Sequence, residues 1–466
     1  MTLTKRPSRA QAAQIDMTEG SIVKKLIKFT LPILVGNLFQ QLYNMVDTFV
    51  IGQTGIANAY AAVGSVAPVI NILIGFFLGL SSGAGVVISQ YFGAKNEEGV
   101  RRAAHTSIAI TLVMGVFITI AGVLFTPLMV ELMLGKDGSV YPYAKTYLII
   151  YFAGVIGLMV YNIGAGILRA VGDSRHPFYF LVLSAVTNIV LDVLFVFGFG
   201  MDVDGVALAT VIAQCLSAVL TVITLLRNDT WVKLMPRQIR IDKKILRQII
   251  SIGLPAAIQM ALTAFSNVFV QSYIGGVDGI PQEVALGAWT SYSKIDQLLF
   301  LPAQSLGLAI TTFVGQNLGN GDVARAKRGT NIAYLMATAA SIVAIIPIIF
   351  FSDSIAPFFN STPEIAENAA MLLRRITPFY LFCCVNQVYA AALRGAGHTK
   401  IPMVIMLSAF VGFRQIYLFV VSNYVSNTLM WLGMAYPAGW ALNSTSVYLY
   451  YRFCNFGKFR ITKKEQ

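Results

Sequence analysis

Charge is scarce in this chain of 466 residues: only 12% are Asp, Glu, Lys or Arg, about half the share of a soluble domain. Histidine is scarcer still, at three (His105, His176, His398), and cysteine stops at four (Cys215, Cys383, Cys384, Cys454). The cysteines have no spacing that suits a disulfide framework or a zinc site. No Gly-rich loop ends in Lys-Ser/Thr, and neither His-Glu-x-x-His nor Cys-x-x-Cys occurs, so no phosphate cradle or metalloprotease helix is expected. No sizeable soluble domain fits either, since the longest connection runs only from 227 to 244. Together these absences argue against an ATP-driven pump or a membrane-attached enzyme. The first twenty residues are polar and basic, without the apolar core of a cleavable signal, so the first span is expected to direct insertion itself.

Apolar sequence is what the chain has instead. It is 56% hydrophobic, with a mean hydropathy of +0.69. Twelve stretches are each about long enough to cross a bilayer, near 24–51, 60–83, 103–127, 142–168, 177–199, 205–226, 245–273, 284–312, 328–351, 364–393, 400–422 and 428–451. Helices are the expected element, because lipid leaves free backbone N–H and C=O groups unsatisfied. The net charge of +13 is not spread as a nucleic-acid surface. Lys24, Lys25, Lys28, Lys95, Arg101, Arg102, Arg169, Arg175, Arg325, Lys327, Arg328, Arg394, Lys400, the segment 227–247 and the tail 452–464 all fall on one side if the spans alternate. The opposite loops hold Asp202, Asp204, Asp278, Glu283 and Asp353, and little basic beyond Lys136. This is the positive-inside asymmetry, and it predicts an inner-membrane protein with both termini cytoplasmic.

The chain also repeats itself. Leu168-Arg-Ala-Val-Gly-Asp-Ser-Arg-His-Pro177 returns as Leu393-Arg-Gly-Ala-Gly-His-Thr-Lys-Ile-Pro402, an offset of 225 (393 − 168). Leu31-Pro32 matches Leu254-Pro255 and Asn44 matches Asn267 at 223; Gln90-Tyr-Phe-Gly93 matches Gln316-Asn-Leu-Gly319 at 226. The halves therefore run roughly 21–226 and 245–454, with tails 1–20 and 455–466 and a basic linker 227–244. Six spans per half is even, so the halves run in the same direction, related by a pseudo-two-fold axis along the membrane normal. The Leu-Arg-x-x-Gly…Pro element is expected to be a structural turn, its Gly allowing the bend and its Pro opening the next helix.

Ionisable residues inside spans are costly and mark candidate sites; five occur here, Asp47, Asp192, Lys294, Asp296 and Arg414. In the first span Asn37, Gln40, Gln41, Asn44, Asp47 and Thr48 recur at spacings of three and four, one helical face, facing protein or water rather than lipid. Asn188 and Asp192, four apart, share a face of the fifth span, and Thr210 lies in the sixth. A carboxyl taken out of water gains a proton more readily, more so beside a second acid, and amide neighbours also suit Na⁺. The competing readings are a packing role for Asp47 and an Asp192 that merely reaches the membrane surface. The second half lacks these acids: Val270 (270 − 47 = 223) and Tyr417 (417 − 192 = 225) stand in their places. Its own polar set is Gln259, Thr263, Lys294, Asp296 and Arg414. A packing pair, Asp296–Arg414 or Asp296–Lys294, and a role in binding or gating both remain open for it. Pro32 and Pro255 each remove one helical hydrogen bond, and Pro32 is a candidate bend beside the polar stripe.

These residues resemble the MATE (multidrug and toxic compound extrusion) transporters: Leu42-Tyr-Asn-Met-Val-Asp-Thr-Phe-Val-Ile-Gly52, Gln90-x-x-Gly93-Ala, Leu168-Arg-Ala-x-Gly-Asp and Gln316-x-x-Gly319 within a duplicated twelve-helix plan. The resemblance covers nearly all of 20–455 and is closest to the bacterial branch with a cation site in the N-terminal lobe. It implies an all-α fold of two six-helix lobes in a V around a central cavity. It further implies export of cationic or amphipathic compounds in exchange for H⁺ or Na⁺, with no other cofactor. That site pairs an Asp of the first span with Asn-x-x-x-Asp of the fifth and Thr of the sixth, which match Asp47, Asn188, Asp192 and Thr210, while the bending proline matches Pro32. Other members use acids in the seventh and tenth spans, and this chain has none in the body of either. The expectation is a monomeric secondary active exporter in the lipid bilayer, with a flippase of lipid-linked or polysaccharide precursors as the alternative and a channel behind both.

Overall fold

The computed structural model describes residues 14–53, 57–136, 138–227, 229–360, 362–458 and 460–461; of 48, 49, 51–53 and 57–61 it describes the backbone alone. Twelve long helices fill these residues: α1 (Ile22–Gln53), α2 (Ala57–Gly93), α3 (Glu97–Leu134), α4 (Tyr141–Ala170), α5 (Arg175–Gly198), α6 (Val203–Arg227), α7 (Lys243–Ile274), α8 (Gln282–Asn320), α9 (Val323–Phe350), α10 (Pro363–Gly395), α11 (Lys400–Val425) and α12 (Ala435–Phe453). Ten are long and apolar enough to cross a membrane. The sequence suggested twelve such stretches; α1 and α12 fall short because polar residues (Gln40, Gln41 and Asn44; Asn443, Ser444 and Thr445) dilute their apolar runs. Several helices outrun their expected limits. α2 and α8 span 37 and 39 residues, about 55–60 Å at 1.5 Å per residue, and carry the Gln-x-x-Gly elements on their last turns.

Local chemistry sets the breaks at the basic end. Gly172 (φ +89°) and Gly397 (φ +81°) take the left-handed conformation in the repeated turn, which only glycine adopts without strain. Pro177 and Pro402 then sit in the first turn of α5 and α11, where a missing N–H costs nothing. Asn96, Asp242 and Asp322 cap α3, α7 and α9 by accepting from the N–H groups of Gly99, Ile245 and Arg325 at 2.8, 3.1 and 2.8 Å, each replacing a donor's lost helical partner. Proline lies inside α1 (Pro32) and α7 (Pro255) as expected.

Two apolar cores occupy the first six helices and two the last six, with one exchange that the sequence did not announce. Ile22, Leu26, Phe29 and Ile33 of α1 belong to the core of α8–α12. Ile245, Ile249 and Ile252 of α7 belong to the core of α2–α6. Beyond Asn37, α1 returns to its own lobe, where Val50 joins the core of α2, α4 and α6. Each lobe's first helix thus crosses into the other lobe near its proline. The lobes meet closely along these crossings: a Cβ on Gly83 of α2 would lie 2.4 Å from Gly253 Cα of α7, and one on Gly319 of α8 would lie 2.1 Å from Gln90 O.

Candidate functional site

In the half of α1 beyond Pro32, the polar stripe meets α5. The carboxyls of Asp47 and Asp192 lie within hydrogen-bond reach of each other. Asp192 is fully buried, and neither of its oxygens, nor Oδ1 of Asp47, has a donor among the described residues. Asn188, one turn earlier on α5 and 2% exposed, leaves its Oδ1 equally unpaired and donates through Nδ2 to Thr210 Oγ1 of α6 at 3.5 Å. Four oxygens without donors at one junction are an unusual surplus, since buried polar atoms are nearly always paired. Two adjacent carboxylates repel; a proton between the carboxyls or a monovalent cation among the oxygens would supply the missing positive charge.

The rest of the stripe is divided. Asn37 donates to Ser305 Oγ of α8 at 3.3 Å, tying α1 to the opposite lobe. Gln40 hydrogen-bonds Tyr43, and Asn44 is exposed. The Thr48 side chain lies outside the described residues. Sequence reasoning missed Tyr147 of α4, whose ring is buried within electrostatic range of both Asp47 and Asp192; a tyrosine in an aromatic-rich span has no pattern that sets it apart.

The second half keeps the helix pairing but not the chemistry. Arg414 of α11 is 3% exposed and donates through Nη2 to Ser266 Oγ and Asn267 Oδ1 of α7, both at 2.8 Å. Its guanidinium lies 4.8 Å from the Tyr436 ring centroid. Asp296 accepts from Tyr292 OH at 3.3 Å. The expected pairs Asp296–Arg414 and Asp296–Lys294 do not form: among the described residues the five ion pairs all lie elsewhere. Tyr436 stands in electrostatic range of both Asp296 and Arg414. Gln259 donates to Met406 Sδ at 2.7 Å and Thr263 returns its hydroxyl to Gln259 O at 2.8 Å, so both serve helix packing here. Gln259 and Thr263 thus bond away from Arg414 and Asp296, whereas Asp47, Asn188, Asp192 and Thr210 meet at one junction.

The MatE family model matches residues 32–194 and again 255–420, one match per half. The chain belongs to the MatE family. It is 30% identical over 443 residues to the probable multidrug resistance protein YoeA of Bacillus subtilis, covering 94% of this chain and 95% of that protein. It is 29% identical to the probable multidrug resistance protein NorM of Thermotoga maritima, with 89% of each chain covered. A MATE transporter solved in complex with MaL6 superposes with a TM-score of 0.90 at 24% identity, over 96% of this chain and 99% of that one. This MatE protein is therefore a multi-pass membrane transporter of twelve helices in two lobes, in a family of multidrug efflux proteins.

Proposed function

We propose that this MatE protein is a secondary active exporter that moves cationic or amphipathic small molecules against an inward H⁺ or Na⁺ gradient, with Asp47 and Asp192 as the coupling pair. It works as a monomer in the inner membrane, with its basic end and both termini in the cytoplasm. The observation that carries the reading is the approach of two membrane-depth carboxyls, three of whose oxygens have no donor among the described residues. Asn188 and Thr210 complete the shell by holding α5 to α6 and offering further oxygen. An ion arriving from outside neutralises the pair and lets α1 and α5 close on each other. Substrate favours the state in which the pair is empty, and that opposition of preferences is the thermodynamic condition for exchange. α1 is suited to carry the signal: its outer half holds Asp47, its inner half packs in the other lobe, and Pro32 between them has no amide hydrogen to brace the helix.

The test is ethidium efflux from proteoliposomes under a pH gradient and, separately, a Na⁺ gradient, for the wild type and Asp47→Asn. One gradient is expected to drive efflux, and the variant, folded by its elution profile, is expected to lose that drive. Drive by neither gradient, or an unaffected variant, removes the acids from the coupling role and brings the flippase alternative forward.

A further inference from the structure

The two Gln-x-x-Gly elements that mark the repeat end at the same place in space, where the lobes meet at the basic end. Gln90 of α2 and Gln316 of α8 are both fully buried, and each spans the lobe boundary by the same bond. Gln90 Nε2 donates to Gly395 O at 3.0 Å; Gln316 Nε2 donates to Ala170 O at 2.9 Å. The acceptors are the last residues of α10 and α4, carbonyls that a helix end leaves without an internal partner. They too are related by the repeat (395 − 170 = 225, 316 − 90 = 226). The acceptor oxygen of each amide is used as well, by a chain terminus. Met17 N–H donates to Gln316 Oε1 at 3.0 Å, and Ile461 N–H donates to Gln90 Oε1 at 2.9 Å.

The N-terminal segment is anchored well beyond that one bond. Met17 is fully buried. Its carbonyl accepts from Asn317 Nδ2 at 3.1 Å and from Arg325 at 3.3 Å, and Arg325 Nη2 also binds the carbonyls of Glu19 and Gly20, both at 2.9 Å. Ile15 N–H donates to Gly172 O at 3.0 Å. A Cβ on Gly172 would sit 2.2 Å from Ile15 O, so the segment lies directly on the first-half turn. Residues 15–20 therefore run from one lobe to the other across the closed end.

We propose that Gln90 and Gln316 form a two-fold latch holding the basic ends of the lobes together, and that each chain terminus locks one of the two amides in its bonding orientation. An amide fixed at Oε1 cannot turn away from the carbonyl it serves. Separating the lobes at this end breaks both bonds and strips each helix-end carbonyl of its donor. A terminus that leaves its amide shifts the two-state balance toward an open basic end. The latch bears on transport only through the two-state cycle proposed above.

The experiment reads the latch without transport. Ser89, fully buried where α2 crosses α8 beside Gly315, is replaced by cysteine in a protein whose four native cysteines are serine. Maleimide labelling of the purified protein is then timed, each rate taken relative to the denatured protein at the same pH. Gln316→Ala is expected to speed labelling about fivefold, the equilibrium value of one hydrogen bond. Removing residues 1–20 is expected to speed labelling at least as much, because it frees the Gln316 amide and also takes away the segment's own bridge from Gly172 to Arg325. Gln316→Glu separates the bonds: its carboxylate still accepts from Met17 N–H but cannot donate to Ala170 O. It is expected to label fast at about pH 8 and near the parent rate at about pH 4, where a protonated carboxyl donates again. Arg325, the charged side chain tied to this corner, moves the crossover downward without removing it. The slow rate at low pH also shows that the variant is folded. Parent-like labelling of Gln316→Glu at every pH, or parent-like labelling after removal of residues 1–20, overturns the proposal. If substrate never exposes the reporter in the parent while Gln316→Ala still does, the cycle fails and the latch stands.

Discussion

The junction between the first and fifth helices of each lobe holds opposite charge in the two halves. In the N-terminal lobe α1 and α5 bring Asp47 against Asp192, and four oxygens of these acids and Asn188 have no donor among the described residues. In the C-terminal lobe α7 and α11 bring Asn267 against Arg414, a buried cation served by oxygens of Ser266 and Asn267 and a tyrosine face. Asn267 is the repeat partner of Asn44, so the same helix pair has been kept while its occupants were exchanged. One junction lacks a positive charge and the other already contains one. Only the first has a reason to take up H⁺ or Na⁺ from solution. The duplication therefore supplied a scaffold of two like lobes whose junctions diverged in charge, and the proposed ion response belongs to the first.

The largest expected effect separates the two junctions. Asp192→Asn is expected to cut gradient-driven efflux about tenfold or more, whereas Tyr417→Phe, at the matching position of the second lobe, leaves it close to wild type; flux in proteoliposomes decides. Equal losses would dissolve the distinction. Next come the seams common to both halves. Gly319→Ala places a methyl 2.1 Å from Gln90 O and is expected to cost about 1–3 kcal/mol. Gly64→Ala meets nothing within 4 Å and is expected to gain about 0.5–1 kcal/mol through helix propensity. Thermal unfolding in detergent checks both signs.

Arg414→Ala sharpens the comparison from the other side. It removes two hydrogen bonds and two ring contacts at a cost of about 1–3 kcal/mol, a lower unfolding midpoint. The ion dependence of efflux is expected to stay unchanged, because the proposed coupling pair lies in the other lobe. The smallest difference concerns the repeated turn, where Asp173 in the first half corresponds to His398 in the second (398 − 173 = 225). His398 Nε2 donates to Asn455 O at 3.0 Å and its Nδ1 accepts from Tyr450 OH at 2.9 Å. Burial, with Lys458 nearby, holds its pKa below the usual histidine value. The unfolded chain thus takes up the proton first, so stability is complete above about pH 6.5 and falls as pH drops through that value. His398→Gln keeps both hydrogen bonds and is expected to lose that fall, read as a flatter unfolding midpoint between about pH 7.5 and pH 5.

What was legible in the sequence follows from which features carry their own signature. Gly172, Gly397, Pro177 and Pro402 announced the repeated turn because their backbone needs restrict them to such places. Asp47 and Asp192 stood out because lipid-depth acids are anomalous, and Asn188 because of its spacing. Other features depended on tertiary structure. The crossing of α1 and α7 between lobes leaves no mark, since Ile22 or Ile245 is equally apolar against either core. Gln90 and Gln316 were visible as repeat markers, but their partners are backbone carbonyls and chain termini, which no residue type encodes. The Asp296–Arg414 pair was a reasonable pairing of opposite charges, but Asp296 takes its hydrogen bond from Tyr292 and Arg414 gives its own to Ser266 and Asn267.

The central claim, that the acid pair of the N-terminal lobe senses the coupling ion, is tested most directly by equilibrium binding of ethidium to purified protein across pH and Na⁺ concentration. The wild type is expected to bind more weakly as one of the two ions rises, with a slope that reports ion release on binding, and Asp192→Asn is expected to show no dependence on that ion. A slope that persists unchanged in Asp192→Asn would place the ion response elsewhere and contradict the account.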